Sequence, residues 1–151
     1  MKERLVLLSH SEEETFEIGR SLGKLLGKEA IICLYGDLGS GKTVFIKGLA
    51  SSLGIPPEDI GSASFVIVTR YGKELPFYHI DLYRIEDIER EEWIWDYLGA
   101  GISAVEWAER LGELPLECIK VYIKIRDNNE REITIEGISK EDWDNIKTGQ
   151  T

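Results

Sequence analysis

A glycine-rich segment directly after an apolar run constrains this sequence more than any other feature. Residues 36–43 match the pattern G-x-x-x-x-G-K-T, and the apolar run 30–35 precedes them. The pattern is that of a P-loop, in which backbone N–H groups surround phosphate oxygens. Lys42 supplies a positive charge there, and the Thr43 hydroxyl can bind Mg²⁺. Because a helical pattern, residues 44–53, follows the loop, the sequence predicts a nucleoside triphosphate site rather than a chance glycine-rich turn.

The rest of the sequence alternates predicted helices and strands, without repeats or a linker. Ser11 and Glu14 have the spacing of a capping box, which predicts an amphipathic helix that closes near Gly27. A further helix is predicted at residues 93–97. The predicted strands are residues 30–35, 65–71, 76–80, 101–106, 121–125 and 133–135. Strand 65–71 is expected to pair with 76–80, and strand 121–125 with 133–135, each pair antiparallel. We therefore expect a single domain, residues 1–151, with an α/β P-loop NTPase fold whose mixed parallel and antiparallel sheet is flanked by helices.

The charge of the chain limits the partners that it can bind. It carries 28 acidic and 18 basic residues, for a net charge of −10, and no block of lysine and arginine forms a basic stripe. Since neutralised phosphates supply most of the affinity for nucleic acid, tight binding to RNA or DNA by this chain alone is not expected. A basic protein partner remains open.

The sequence predicts a cytoplasmic protein without a membrane anchor. The first apolar run, Leu5 to Leu8, is too short for a signal peptide, and no run has the length that a bilayer requires. Cys33 and Cys118 lack the spacing of metal ligands, so reduced thiols in the core are expected.

A P-loop needs a further acidic residue near the metal, usually at the end of a neighbouring strand. Asp81 and Glu106 both follow apolar strand patterns, and the residues alone do not rank them. Each could equally be a solvated strand end. His79 lies two residues before Asp81, on the same side of a strand, so its imidazole could orient that acid; a packed polar residue in a half-buried strand is the favoured interpretation.

The sequence lacks the motifs of several classes of nucleotide-dependent proteins. The sequence has no N-K-x-D, no D-x-x-G after a strand and no L-S-G-G-Q, which argues against a GTPase or a transporter ATPase. Its arginines are scattered singly, so the lid of a small-molecule kinase is not recognisable. A small-molecule P-loop kinase remains the alternative to an ATPase, and a nucleotide-gated interaction protein with negligible turnover is a third hypothesis.

Four segments together resemble, in order and spacing, the bacterial tRNA threonylcarbamoyladenosine biosynthesis ATPase family, TsaE. They are the P-loop, S-A-S-F at 62–65, H-I-D-L-Y-R at 79–84 and V-E-W at 105–107. The resemblance implies an Mg²⁺-dependent ATPase that assists the threonylcarbamoyl-transferase and its inactive paralogue in modifying the adenosine beside the anticodon. The acidic charge predicts that tRNA is contacted only indirectly or weakly, and because no arginine lies within the P-loop motif, we expect turnover to be slow until the partners bind.

The resemblance assigns roles to individual residues. It implies that Lys42 contacts the phosphates, that Thr43 and Glu106 hold Mg²⁺, and that Asp81 lies in a switch-like segment needed for hydrolysis. Further nucleotide contacts are implied for Ser11, Gly36, Asp37, Leu38, Gly39, Ser40, Gly41, Val44, Ser64, Trp107 and Arg131. For Ser11 and Arg131, a helix cap and a surface charge are equally good interpretations. Where the family usually reads S-P-T-F, Ala63 replaces the proline, which removes a constraint on φ, while Ser64 keeps a hydroxyl.

Overall fold

The computed structural model of the protein describes residues 3–37, 39–61, 68–72, 75–83, 85, 92–113, 117–127 and 130–148. Within them the helices are α1 (Glu12–Gly23), α2 (Lys42–Ser52) and α3 (Lys140–Thr148). The strands are β1 (Arg4–Ser9), β2 (Ile31–Tyr35), β3 (Val68–Tyr71), β4 (Phe77–Asp81), β5 (Ile102–Glu106), β6 (Cys118–Asp127) and β7 (Glu130–Glu136). Short 3₁₀ turns lie at Pro57–Asp59, Glu92–Asp96 and Ala108–Leu111. No described helix combines the length and apolarity needed to cross a bilayer.

The strands form one mixed sheet in the order β1-β7-β6-β2-β5-β4-β3. Strand β2 lies parallel to both β5 and β6, and β4 lies parallel to β5. The pairs β1/β7, β3/β4 and β6/β7 are antiparallel. The predicted P-loop NTPase fold with a mixed sheet is confirmed, as are both predicted antiparallel pairs. The carboxyl ends of β2, β4 and β5 meet at one edge, where α/β folds of this kind bind ligands.

Both faces of the central strand β2 are buried, which explains its unbroken apolar sequence. Ile32 and Leu34 are fully buried among the residues of α1 and α2 on one face. Cys33 points to the opposite face, into a smaller core that includes Val105 and Ile80. Cys33 and Cys118 are free, buried thiols, as predicted. Burial raises the pKa of Cys33 to about 12, and the neighbouring Cys118 contributes to the shift.

Helices α1 and α2 touch through their backbones. A Cβ atom added to Gly19 on α1 would collide with the carbonyl oxygen of Phe45, and one added to Gly48 on α2 would collide with that of Phe16. Each helix therefore places a glycine where the other helix passes, and no side chain separates them at these points. This contact holds α1 firmly against the helix that follows the P-loop.

The helical segments differ from the prediction in three places. Helix α1 ends at Gly23 rather than near Gly27, and the chain continues in i→i+3 turns, in which the Leu25 N–H donates to the Leu22 carbonyl oxygen at 2.9 Å. The helix predicted at residues 93–97 is the 3₁₀ turn Glu92–Asp96. Helix α3 was not predicted. The strand predicted at residues 65–71 is described from residue 68 onward, where it forms β3.

Candidate nucleotide-binding site

The P-loop connects β2 to α2, as the sequence predicts. The Ser40 N–H donates to the carbonyl oxygen of Asp37 at 3.1 Å, which closes a turn within the loop. Gly41 precedes α2 with φ of 108°, a conformation that favours glycine, and no side chain caps the helix. The N–H groups of the first helical turn therefore remain available to an anion, and the helix dipole favours negative charge there.

A buried hydroxyl without a partner lies in the same loop. The side chain of Ser40 is fully buried, and its Oγ has no hydrogen-bond partner among the described residues. A Cβ atom at Gly36 would lie 2.8 Å from this oxygen, so the loop tolerates only glycine at that position. An unsatisfied buried hydroxyl costs stability unless a ligand pairs with it. Because the loop encloses this oxygen, it adds to the cost of the loop conformation and is not open to a ligand in this arrangement.

Lys42 is turned inward and is already paired. Its side chain is buried, and its ammonium group donates to the carbonyl oxygen of Gly36. The Trp107 ring covers the same group, with Nζ 4.4 Å from the ring centroid, a cation–π distance. Trp107 has a φ of 58°, and among the described residues other than glycine it is the one with a positive φ. The ammonium group has three N–H donors, so the bond to Gly36 leaves two of them for a phosphate oxygen.

The two candidate acids are neighbours across β4 and β5. Asp81 is paired in register with Glu106, and Glu106 is paired with Leu34 at the end of β2. Both carboxyl groups therefore lie at the edge of the sheet where the P-loop begins. The sequence placed them there correctly.

His79 contacts Glu106, not Asp81. Its Nε2 lies 2.6 Å from Oε2 of Glu106, and both side chains are buried, with 1% and 7% of their surfaces exposed. The alternative in which His79 orients Asp81 is therefore wrong, whereas the favoured interpretation, a packed polar residue, agrees with the burial of His79. Hydrogen bonds between parallel strands are slanted. Glu106 at the end of β5 therefore lies next to His79, two positions before its register partner Asp81 on β4. One oxygen of Glu106 is thereby fixed, which leaves Oε1 for another ligand.

Asp81 has a different environment. Its Oδ1 accepts a hydrogen bond from the Tyr83 N–H at 3.0 Å. Burial raises the pKa of Asp81 above its ordinary value, the Tyr83 N–H opposes the shift, and the negative charge of Glu106 adds to it. Two acids with different environments in one site are suited to different tasks.

The donor set fits a magnesium ion that is shared with phosphates. Among the described residues, no three histidine, cysteine, aspartate or glutamate side chains cluster so as to hold a metal by themselves. Thr43 is half-buried in the first turn of α2 and offers a hydroxyl, and Glu106 offers Oε1. Mg²⁺ commonly binds one or two protein oxygens and completes its shell with phosphates and water. Leu38 and Ser64, which the resemblance adds to the site, lie outside the described residues.

A cavity of about 320 Å³ adjoins the P-loop and brings Ser11 and Arg131 together. Arg131 donates from Nε to the Ser40 carbonyl oxygen at 3.0 Å and from Nη2 to that of Gly39 at 3.5 Å, so it is more than a surface charge. The Ser11 hydroxyl accepts the Glu14 N–H at 3.1 Å, which confirms its role as a helix cap. The cavity is also lined by His10, Glu12, Glu13, Thr15, Gly41 and Val44.

The sequence analysis missed His10 and Thr15 at this cavity. Thr15 shares a hydrogen bond of 2.7 Å with Ser9, and His10 lies 3.1 Å from a carboxylate oxygen of Glu130. The antiparallel pairing of β1 with β7 brings Ser9 opposite Arg131. Only this pairing explains why residues near 10 and 131 line one cavity. A strand prediction for the run Leu5 to Leu8 would have provided the signal.

Comparison with known proteins connects this site to one family. The family model described as threonylcarbamoyl adenosine biosynthesis protein TsaE matches residues 9–133. A tRNA threonylcarbamoyladenosine biosynthesis protein TsaE of Aquifex aeolicus (strain VF5) is 39% identical over 131 residues, which span 85% of this chain and 93% of that protein. The protein of the same name from Bacillus subtilis (strain 168) is 39% identical over 129 residues, covering 83% and 81%. The crystal structure of Bacillus subtilis YdiB superimposes with a TM-score of 0.77 at 30% identity, over 100% of this chain and 99% of that one.

Proposed function

Since the chain belongs to the TsaE family and thus to the machinery of tRNA threonylcarbamoyladenosine biosynthesis, we propose that it binds ATP with Mg²⁺ and hydrolyses it in support of that modification. The observation that carries the proposal is the phosphate cradle. It combines an uncapped helix N-terminus after Gly41 with the ammonium group of Lys42. The cavity beside the cradle offers space for the nucleoside, with Ser11 and Arg131 on its lining.

Each polar group of the site has a distinct task in this proposal. Lys42 binds the phosphates through the N–H donors that Gly36 does not use. Thr43 and Oε1 of Glu106 hold Mg²⁺, which would neutralise charge on the phosphate oxygens during hydrolysis. His79 keeps Glu106 oriented through Oε2. Asp81, whose carboxyl group is half-buried, orients the attacking water.

The isolated chain is proposed to be a slow cytoplasmic ATPase that gains activity on its protein partners, the threonylcarbamoyl-transferase and its inactive paralogue. Lys42 contacts Gly36 and Trp107 in the free protein, and a change in these contacts on partner binding would alter how it engages the phosphates. No arginine lies within the P-loop motif to stabilise the transition state. The net charge of −10 favours a basic protein face over tRNA.

The decisive experiment measures ATP turnover by the purified chain with and without the transferase pair. We expect slow turnover alone, stimulation by the pair, and dependence on Mg²⁺. Product analysis by mass spectrometry runs in parallel with a panel of small-molecule acceptors. Fast turnover alone that the pair leaves unchanged would contradict the proposal, and a phosphorylated small molecule would favour the kinase hypothesis.

A further inference from the structure

The backbone of the P-loop is held from outside by a side chain of a distant strand. Arg131 on β7 donates from Nε to the carbonyl oxygen of Ser40 at 3.0 Å and from Nη2 to that of Gly39 at 3.5 Å. Arg131 and Ser40 are 91 positions apart in the sequence, so the contact exists only in the folded chain. Its shorter bond fixes the carbonyl group of the peptide that joins Ser40 to Gly41.

The sheet places Arg131 beside an irregular point. The register of β6 and β7 shifts between Ile125, which pairs with Arg131, and Asp127, which pairs with Glu130. Arg126 is therefore an extra residue on β6, as in a β-bulge, and bulges re-aim neighbouring side chains. Because β7 lies between β1 and β6, the backbone of Arg131 is paired on both sides. A fixed backbone thus carries the guanidinium group that reaches the loop.

The direction of the Ser40 carbonyl group determines the direction of the Gly41 N–H. Both groups belong to one planar trans peptide, in which C=O and N–H point opposite ways. Since Arg131 holds the carbonyl oxygen, the Gly41 N–H is turned away from Arg131. Among the described residues this N–H has no backbone acceptor, and it directly precedes the open first turn of α2. It therefore adds one donor to those that the helix N-terminus offers to an anion.

The preceding peptide has the same arrangement. Its carbonyl group, that of Gly39, is directed to Arg131, and its N–H, that of Ser40, donates to the Asp37 carbonyl oxygen within the loop at 3.1 Å. This peptide is therefore held at both ends. For the peptide that joins Ser40 to Gly41, the contact with Arg131 is the one that the described residues provide.

A peptide that precedes glycine can turn over at little cost. Gly41 has φ of 108°, and glycine adopts positive and negative φ about equally well. A reversed peptide would remove the Gly41 N–H from the cradle and direct the Ser40 carbonyl oxygen toward the phosphates. Like partial charges would then repel each other. The guanidinium group of Arg131 has donors and no acceptor, so it favours the orientation in which the carbonyl oxygen faces it.

We propose that Arg131 is a positioning residue for phosphate binding, which locks the peptide between Ser40 and Gly41 with its N–H directed at the phosphates. The inference rests on the proposed nucleotide-binding function and concerns one step within it. Arg131 acts here through the backbone of the loop. Its effect should therefore extend to a chain of phosphates without a nucleoside.

The first test measures the direction of the Gly41 N–H in the ligand-free full chain, through its residual dipolar coupling in a weakly aligned NMR sample. Arg131→Ala releases the Ser40 carbonyl group. We expect the Gly41 coupling to move toward an average over two peptide orientations, while the couplings of β2 and α2 keep their wild-type values.

The second test measures affinity for tripolyphosphate and for a non-hydrolysable ATP analogue, both in chelator so that Mg²⁺ has no part. Arg131→Ala should weaken binding of both ligands about tenfold or more, because a charge-assisted hydrogen bond from Gly41 is lost. Arg126→Ala is the matched control, since it removes the same charge from the same hairpin, where Arg126 lies near Glu130 and Glu132. It should change either affinity less than about twofold, because this charge is exposed and screened.

A conservative variant covers the case in which Arg131→Ala does not fold. Arg131→Lys keeps the positive charge but lacks the planar fork that bridges two carbonyl groups. We expect it to weaken both ligands about three- to fivefold, with a smaller change in the Gly41 coupling.

Two results would overturn the proposal. If Arg131→Ala weakens only the ATP analogue and binds tripolyphosphate as the wild type does, Arg131 is a nucleoside contact. If tripolyphosphate affinity falls while the Gly41 coupling is unchanged, the effect of Arg131 is direct attraction of its charge. A wild type that binds neither ligand would refute the proposed function instead, and the Gly41 coupling of the ligand-free variants would still decide whether Arg131 sets the direction of this peptide.

Discussion

Replacement of His79 tests the contact that fixes Glu106. The two side chains are buried and 2.6 Å apart, so His79→Phe fills similar space but leaves a carboxylate without its donor. A hydrogen bond to a charged group contributes about 1.5–3 kcal/mol to the free energy of unfolding. For a chain of this length, that loss lowers Tm by about 3–12 °C. His79→Gln, whose amide can donate to the same oxygen, should recover more than half of the loss.

The same variants separate stability from function. Calorimetry with a non-hydrolysable ATP analogue, with Mg²⁺ and then with chelator, gives the gain in affinity that Mg²⁺ provides. We expect His79→Phe to lose most of that gain while Mg²⁺-free affinity changes little, because the phosphate cradle is intact. A double-mutant cycle with Glu106→Gln isolates the pair. The reasoning is refuted if His79→Phe unfolds within about 0.5 kcal/mol of the wild type, the range of neutral surface changes, and keeps the full Mg²⁺ gain.

Three further predictions concern the loop, the second acid and the core thiol. Lys42→Ala should sharply weaken triphosphate binding, whereas Thr43→Ala should chiefly remove the Mg²⁺-dependent gain; wild-type affinity of Lys42→Ala in calorimetry would contradict the site. Because burial raises the folded-state pKa of Asp81, the wild type loses stability as pH rises from the ordinary aspartate value of 3.8 through the folded value. Asp81→Asn should therefore be more stable than the wild type at pH 7, with a difference that shrinks in acid, while turnover is lost. Cys33, with a pKa of about 12, should react with iodoacetamide at pH 8 only after denaturation, as mass spectrometry of native and unfolded samples would reveal.

The elements that the sequence predicts correctly are those with local signals. The P-loop carries its own glycine pattern, and β5 is an apolar run that ends in Glu106. The hairpin of β6 and β7 shows alternation on both sides of a polar loop. Each of these depends on residues that are close together in the sequence.

The features that the sequence does not predict depend on distant partners. The pairing of β1 with β7 joins residues more than 120 positions apart, as at Leu5 and Ile135, and no local pattern encodes it. The contact between His79 and Glu106 follows from the slanted hydrogen bonds between the parallel strands β4 and β5. The need for glycine at Gly23 depends on α2, whose Leu49 carbonyl oxygen would lie 2.8 Å from a Cβ atom at that position.

The glycine contact between α1 and α2 has a mechanical consequence. At Gly19 and Gly48 the two backbones meet without side chains that could rearrange between them. Helix α1 begins at the cavity beside the P-loop, while α2 begins with Lys42 at the phosphate loop. A shift of α1 would therefore meet the backbone of α2 directly at these two points, with no side chain between them to absorb it.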